Sequence, residues 1–163
     1  MDGVTAGLAL RDAVAADVPL LLRLVRELAD YERLSAQVRA TEDALHAALF
    51  GVPPRAYALL AELAGTPVGF AVWFYNFSTF EARAGLYVED VFVAPAHRGR
   101  GIGRAIFRDL ARRAMEQGCA RMDWTVLDWN RPAHDFYRGI GARPVVGWTI
   151  QRLDGAALTS LAG

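Results

Sequence analysis

Seven consecutive residues, Arg98-Gly99-Arg100-Gly101-Ile102-Gly103-Arg104, combine three glycines with three arginines. Glycine lets the backbone approach a ligand and aim successive N–H groups at it. A helix opening near Gly101 would add the partial positive charge of its N-terminus, and the guanidinium groups add formal charge. Such a loop suits a pyrophosphate; the alternative is a solvated glycine-rich turn. A P-loop would end in Gly-Lys-Ser/Thr, but all 18 basic side chains here are arginine. The lack of lysine also excludes a Schiff base and with it pyridoxal chemistry. The glycines are spaced by two, which is not the dinucleotide fingerprint. Other chemistries find little support. His46, His97 and His134 are scattered, no metal-ligand spacing occurs, and no Gly-x-Ser-x-Gly elbow is present. Cys119, beside Gly118, reads as a small packed residue.

Regular elements must hold these groups in place. Residues 8–11 predict a short strand. Asp17 reads as an N-cap with Pro19 in the first turn, and Leu21, Leu24, Val25 and Leu28 form one apolar helical stripe. Thr41 caps a second helix, Glu42 and Asp43 complement its positive end, and Gly51, Pro53 and Pro54 stop it. Strand signals follow at 57–63, 68–75 and 86–93, the first two joined through Gly65-Thr66-Pro67 as a hairpin. A helix from Gly101 to about Gln117 turns Ile102, Ile106 and Leu110 inward and Arg104, Arg108 and Arg112 elsewhere; Gly118 ends it. Residues 121–126 predict a strand, 132–140 a short helix and 148–153 a final strand. Trp73, Trp124, Trp129 and Trp148 are expected mostly in the core, with Trp129 also a candidate for lining a substrate channel. The order describes an α/β fold: a mixed sheet with helices on both faces.

The chain has 163 residues, the size of one domain with a sizeable core. Its hydrophobic fraction is 53%, yet no apolar run approaches the ~20 residues of a membrane span. Met1-Asp2-Gly3 lacks the basic start of a signal peptide. A net charge of zero argues against nucleic acid as a partner. A single cysteine permits no internal disulfide and points to a reducing, cytoplasmic setting.

On the loop Arg98…Gly101-Ile102-Gly103 the chain resembles the GNAT superfamily of N-acetyltransferases, whose signature is Arg/Gln-x-x-Gly-x-Gly/Ala. Three further segments are similar to its diamine (spermidine/spermine) and thialysine acetyltransferase branch. They are Tyr31-Glu32, Tyr87 to Val93 (with Glu89-Asp90), and Val126 to Asn130 followed by Asp135-Phe136-Tyr137 and Gly141-Ala142. Polyamine enzymes carry an acidic, Trp-containing segment where this chain has Phe77 to Gly85; that departure favours a smaller amine.

The resemblance implies a single GNAT domain over 1–163, a mostly antiparallel sheet splayed at the cofactor site, and acetyl-coenzyme A as co-substrate without a metal. It implies that Arg98, Gly99, Arg100, Gly101, Ile102, Gly103 and Arg104 hold the pyrophosphate. Val91, Phe92 and Val93 would line the pantetheine, the backbone of Val91 and Val93 in strand fashion. A backbone N–H near Phe92 would face the thioester oxygen. Asn130 and Ala133 would also contact the cofactor, although Asn130 could instead cap the helix that follows. Glu89 is the candidate base, directly or through a water, and Tyr137 the candidate acid for the departing thiolate. Their alternatives are an exposed strand carboxylate and a core tyrosine.

Tyr31, Glu32, Glu89 and Asp90 would meet the amine, although Tyr31-Glu32 could be a fraying helix end. Glu89 and Asp90 point to opposite sheet faces unless a bulge intervenes, as it does in the family. The expected activity is acetyl-coenzyme A-dependent N-acetylation of a thialysine-like amino acid or a diamine or polyamine, by direct transfer in a ternary complex. The alternatives are a peptide N-acetyltransferase and a non-catalytic acyl-coenzyme A sensor. The resemblance also implies a cytoplasmic homodimer that binds neither nucleic acid nor membrane.

Overall fold

A computed structural model describes residues 6–163. The chain separates into two compact units, Met1–Leu127 and Asp128–Gly163. The first contains strands β1 (Leu8–Asp12), β2 (Tyr57–Leu63), β3 (Thr66–Ser78), β4 (Arg83–Val93) and β5 (Met122–Asp123), with helices α1 (Val18–Tyr31), α2 (Glu42–Phe50) and α3 (Ile102–Glu116). The second contains α4 (Arg131–Gly139) and α5 (Gly155–Ala162). No helix among the described residues is long and apolar enough to cross a membrane.

The strands lie in sequence order, antiparallel from β1 to β4, with β5 parallel to β4. Period-two alternation divides their side chains between two helical layers. Leu60, Phe70 and Phe92 face α1 and α2, packing with Leu21, Leu24, Leu28 and Leu49. Burial of such apolar side chains contributes roughly 1.5–3 kcal/mol each. Leu59, Ala71 and Trp73 alternate to the other face, where Arg113 of α3 lies 5.0 Å above the Trp73 ring. The expected inward row Ile102, Ile106, Leu110 is fully buried, and the single cysteine, Cys119, is buried as well. Thr41 Oγ1 accepts the Ala44 N–H at 3.2 Å, the cap expected of it. Asp17 sits at the N-cap of α1, but its carboxylate accepts the Val14 N–H and pairs with Arg11 at 2.7 Å instead of bonding the helix.

The later strands differ from the sequence reading. Of residues 121–126 only Met122 and Asp123 form a strand, pairing with Leu86 and Tyr87. Residues 148–153 form none: a strand needs a neighbour to take its backbone hydrogen bonds, and the unit containing them has no strand among the described residues. Trp148 is accordingly 80% exposed, not core, and Trp129 is half exposed. Helix α5 carries no strong periodic signal in its sequence.

Candidate active site

The β3–β4 ladder determines where the carboxylates point. Val72 pairs with Asp90 but Trp73 pairs with Val88, so Glu89 is an extra residue, a bulge, on β4. The bulge exchanges the faces of the strand. Leu86 and Val88 lie on the α3 side, opposite Tyr75 and Trp73, whereas Asp90 and Phe92 lie on the α1 side, opposite Val72 and Phe70. Regular alternation would put Glu89 and Asp90 on opposite faces; the bulge brings their charges within influence of one another. Glu89 is exposed. Asp90 is largely buried, and burial first, then the charges of Glu89 and Glu32, push its carboxyl up to about 6.

Glu32 reaches this place through the end of α1. The Leu34 N–H bonds the Ala29 carbonyl at 2.8 Å and the Arg33 N–H bonds that of Asp30 at 3.0 Å, with Arg33 at φ 61°. This closed Schellman turn satisfies the last carbonyls and holds Tyr31 and Glu32 in place, so the helix end is not frayed. Tyr31 is half-buried against the core that contains Phe92, and burial raises the Glu32 carboxyl. Arg98 completes the group: its guanidinium lies 4.1 Å from the Tyr31 ring centroid and 5.7 Å from that of Phe92, and its Nε donates to the Val93 carbonyl at 2.8 Å. Neither Glu32 nor Asp90 forms an ion pair among the described residues.

Beyond Tyr87 the outer edge of β4 has no strand beside it among the described residues. The Ala94 N–H donates to the Val68 carbonyl at 2.9 Å. Alternation therefore turns the backbone groups of Phe92 toward β3 and those of Val91 and Val93 toward the open edge. A Cβ on Gly69 would lie 2.5 Å from the Phe92 carbonyl oxygen, which agrees with that direction. The donors facing the edge near Phe92 are thus the N–H groups of its two neighbours. The chain next turns through Pro95–His97 into the glycine loop. Gly99 (φ 75°) and Gly101 (φ 79°) take left-handed conformations that cost other residues energy. Gly101 is the N-cap of α3 and no side chain caps the helix, so its first amides are directed at whatever lies beyond the loop. Ile102 and Gly103 belong to the first turn of α3, Ile102 buried; Arg100 and Arg104 are exposed.

In the second unit Asn130 is buried and caps α4, its Oδ1 accepting the Ala133 N–H at 3.3 Å. Tyr137 lies on α4, half-buried, its ring 5.6 Å from that of Phe136. Thus Tyr31, Glu32, Glu89, Asp90, Val91, Phe92, Val93 and Arg98 to Arg104 belong to the first unit, and Asn130, Ala133 and Tyr137 to the second. One feature had no signal in the sequence: the Arg98 side chain is directed at Tyr31, a residue far away along the chain.

An open sheet edge, a left-handed glycine loop and a helix start without a side-chain cap offer backbone hydrogen bonds and positive charge to an extended, anionic ligand. The Acetyltransferase (GNAT) family matches residues 21–142. Thialysine N-epsilon-acetyltransferase of Bos taurus is 39% identical over 165 residues, spanning 94% of this chain and 96% of that one. L-ornithine N5-acetyltransferase of Arabidopsis thaliana is 27% identical, over 93% of this chain and 86% of that one. Among solved structures, an integron cassette protein of the V. cholerae mobile metagenome superposes with a TM-score of 0.80 at 27% identity, over 96% of this chain and 98% of that one. The chain belongs to the GNAT family and is an acetyltransferase.

Proposed function

We propose that this enzyme transfers the acetyl group of acetyl-coenzyme A directly to the primary amine of a small molecule, a thialysine-like amino acid or a diamine. The observation that carries this reading is the bulge at Glu89. It turns Asp90 to the α1 side of the sheet, where the charges of Glu89 and Glu32 act on it, and it lies in the stretch of β4 whose outer edge has no strand beside it among the described residues; three carboxylates that act together suit an ammonium. The thialysine and ornithine activities named for its relatives are of the same substrate class.

The residues present suit acetyl-coenzyme A, which supplies an activated thioester carbonyl. Val91 and Val93 offer strand-like hydrogen bonds to the amides of the pantetheine arm. The loop from Arg98 to Arg104 offers its glycine-rich backbone, and Arg100 and Arg104 positive charge, to the pyrophosphate; family resemblance adds Asn130 and Ala133 as residues for the arm. An aliphatic amine near pKa 10 is mostly protonated at neutral pH. Glu32 and Asp90 hold the ammonium, with Tyr31 beside them at the end of α1, and Glu89 removes the proton, freeing the nitrogen lone pair for attack. An N–H of Val91 or Val93 stabilises the developing oxyanion. As the carbon–sulfur bond breaks, the Tyr137 hydroxyl gives its proton to the thiolate. We further infer a single catalytic domain that works as a homodimer in the cytoplasm; the reduced, buried Cys119 supports the compartment and family resemblance the dimer.

Thiol release from acetyl-coenzyme A, measured with thialysine, ornithine, lysine, diamines, spermidine and short peptides, tests this reading. Amine-dependent release is expected, lowered about 10²-fold or more by Tyr137→Phe or Glu89→Gln. Release with peptides alone would overturn the substrate class. Coenzyme binding without turnover of any amine would overturn the enzyme and leave a sensor.

A further inference from the structure

We propose that Arg98 is a positioning residue that ties the pyrophosphate loop to the amine-binding end of α1, so that seating acetyl-coenzyme A in the loop tightens amine binding. The inference rests on the acetyl-transfer reading above and adds to it a coupling between the two substrates. Arg98 is the first residue of the glycine loop, yet its side chain serves the other substrate. Its Nε is spent on the Val93 carbonyl at 2.8 Å, and its Cζ lies over the Tyr31 ring, 4.1 Å from the centroid. The hydrogen bond holds one edge of the guanidinium, and the ring attracts its charge.

Tyr31 is the last helical residue of α1 and Glu32 follows it in a closed turn. Any displacement of the ring is therefore passed to the Glu32 carboxylate. The positive charge is held on the ring and forms no ion pair with Glu32 or Asp90, which leaves both carboxylates to an ammonium. Loop, Arg98, Tyr31 and Glu32 form one mechanical chain. A loop ordered by phosphate holds Arg98, and Arg98 holds the acidic residue. The linkage is reciprocal: bound amine must tighten coenzyme binding by the same factor.

The test is calorimetric titration of amine into the full chain, with and without saturating coenzyme A. L-thialysine is the probe, or the panel amine that releases thiol fastest if that differs. The variants are Arg98→Met, Arg98→Lys, Tyr31→Leu and Tyr31→Phe, each with its melting curve and its own affinity for coenzyme A. In the unmodified protein coenzyme A should tighten amine binding by about five-fold or more. Tyr31→Phe keeps an aromatic face and should retain that factor. Tyr31→Leu and Arg98→Met should reduce it to about one, Tyr31→Leu without changing affinity for coenzyme A alone. Arg98→Lys, which keeps charge but not the planar fork, should also lose it.

A factor of one in the unmodified protein, or full coupling in Tyr31→Leu, overturns the proposal. So does Arg98→Met if it weakens coenzyme A by about ten-fold or more and leaves coupling intact, which would place the guanidinium on phosphate. If Arg98→Met does not fold, the Tyr31 pair still decides. Thiol release with no coupling refutes only this inference, whereas absence of amine-dependent release refutes the acetyl-transfer reading itself.

Discussion

Asp90 is held where its charge is opposed from several sides. It is largely buried on the α1 face of the sheet, with the charges of Glu89 and Glu32 nearby, and its carboxyl is pushed from 3.8 up to about 6. Between those values the folded protein binds a proton that the unfolded chain has released. Stability is therefore greatest below about 4 and falls as pH rises through about 6. Asp90→Asn should raise stability at pH 7.5 by about 3 kcal/mol, with the gain vanishing near pH 4, as read from denaturant melts at both pH values. A gain of the same size at pH 4 would mean that the charge of Asp90 is not its source. The same variant should bind amine more weakly at pH 7.5, because what destabilises the empty fold is what an incoming ammonium neutralises. Tyr31, Glu32, Glu89 and Asp90 were legible as candidates because carboxylates and an aromatic ring suit a cation. That their charges act together was not, since Glu32 lies far from Glu89 and Asp90 in sequence.

At the scale of the element, the bulge on β4 governs both activity and packing. With Glu89 removed, Val88 would remain opposite Trp73 and Asp90 opposite Val72, and the alternation would become regular. Deletion of Glu89 should therefore leave a folded protein, because no buried side chain changes face. It should nonetheless lose more activity than Glu89→Ala, which removes the carboxylate and keeps the bend. Misplacing the open edge by about 1 Å can cost roughly 10²-fold. Thiol-release rates and melting temperatures of the two variants side by side measure the difference. Equal rates would show that the carboxylate alone matters; an unfolded deletion would show that the bulge is needed for packing. The bulge could not be located from the pattern of β4 by itself. Residues 86–93 are apolar at several consecutive positions, and only the partner strand reveals which residue is unpaired.

For the whole molecule, the structure describes one chain with several large apolar side chains exposed between Val145 and Leu161. If the enzyme is a homodimer, sedimentation at micromolar concentration should give about twice the chain mass of 17.8 kDa. A species of single-chain mass across the working concentration range would refute it. Residues 142–154 carry no regular element, although the apolar residues at 148–153 predict a strand. Such residues announce burial or pairing, but the partner that would supply either is not in the local sequence.

What the amino-acid sequence determined by itself is what depends on near neighbours. The apolar stripe of α1, the Thr41 cap, the left-handed glycines before α3 and the inward row Ile102, Ile106, Leu110 all follow from residue type at short spacing. The glycine loop, with segments similar to those of known acetyltransferases, gave the chemistry. The tertiary structure decided which residue forms the bulge that the resemblance implies at Glu89-Asp90, the length over which β5 accompanies β4, and the turn of Arg98 onto Tyr31. Each is a relation between segments distant in the chain. It is settled by which backbone groups find partners and which charges share a low-dielectric place, and neither is written in the spacing of residues along one strand or helix.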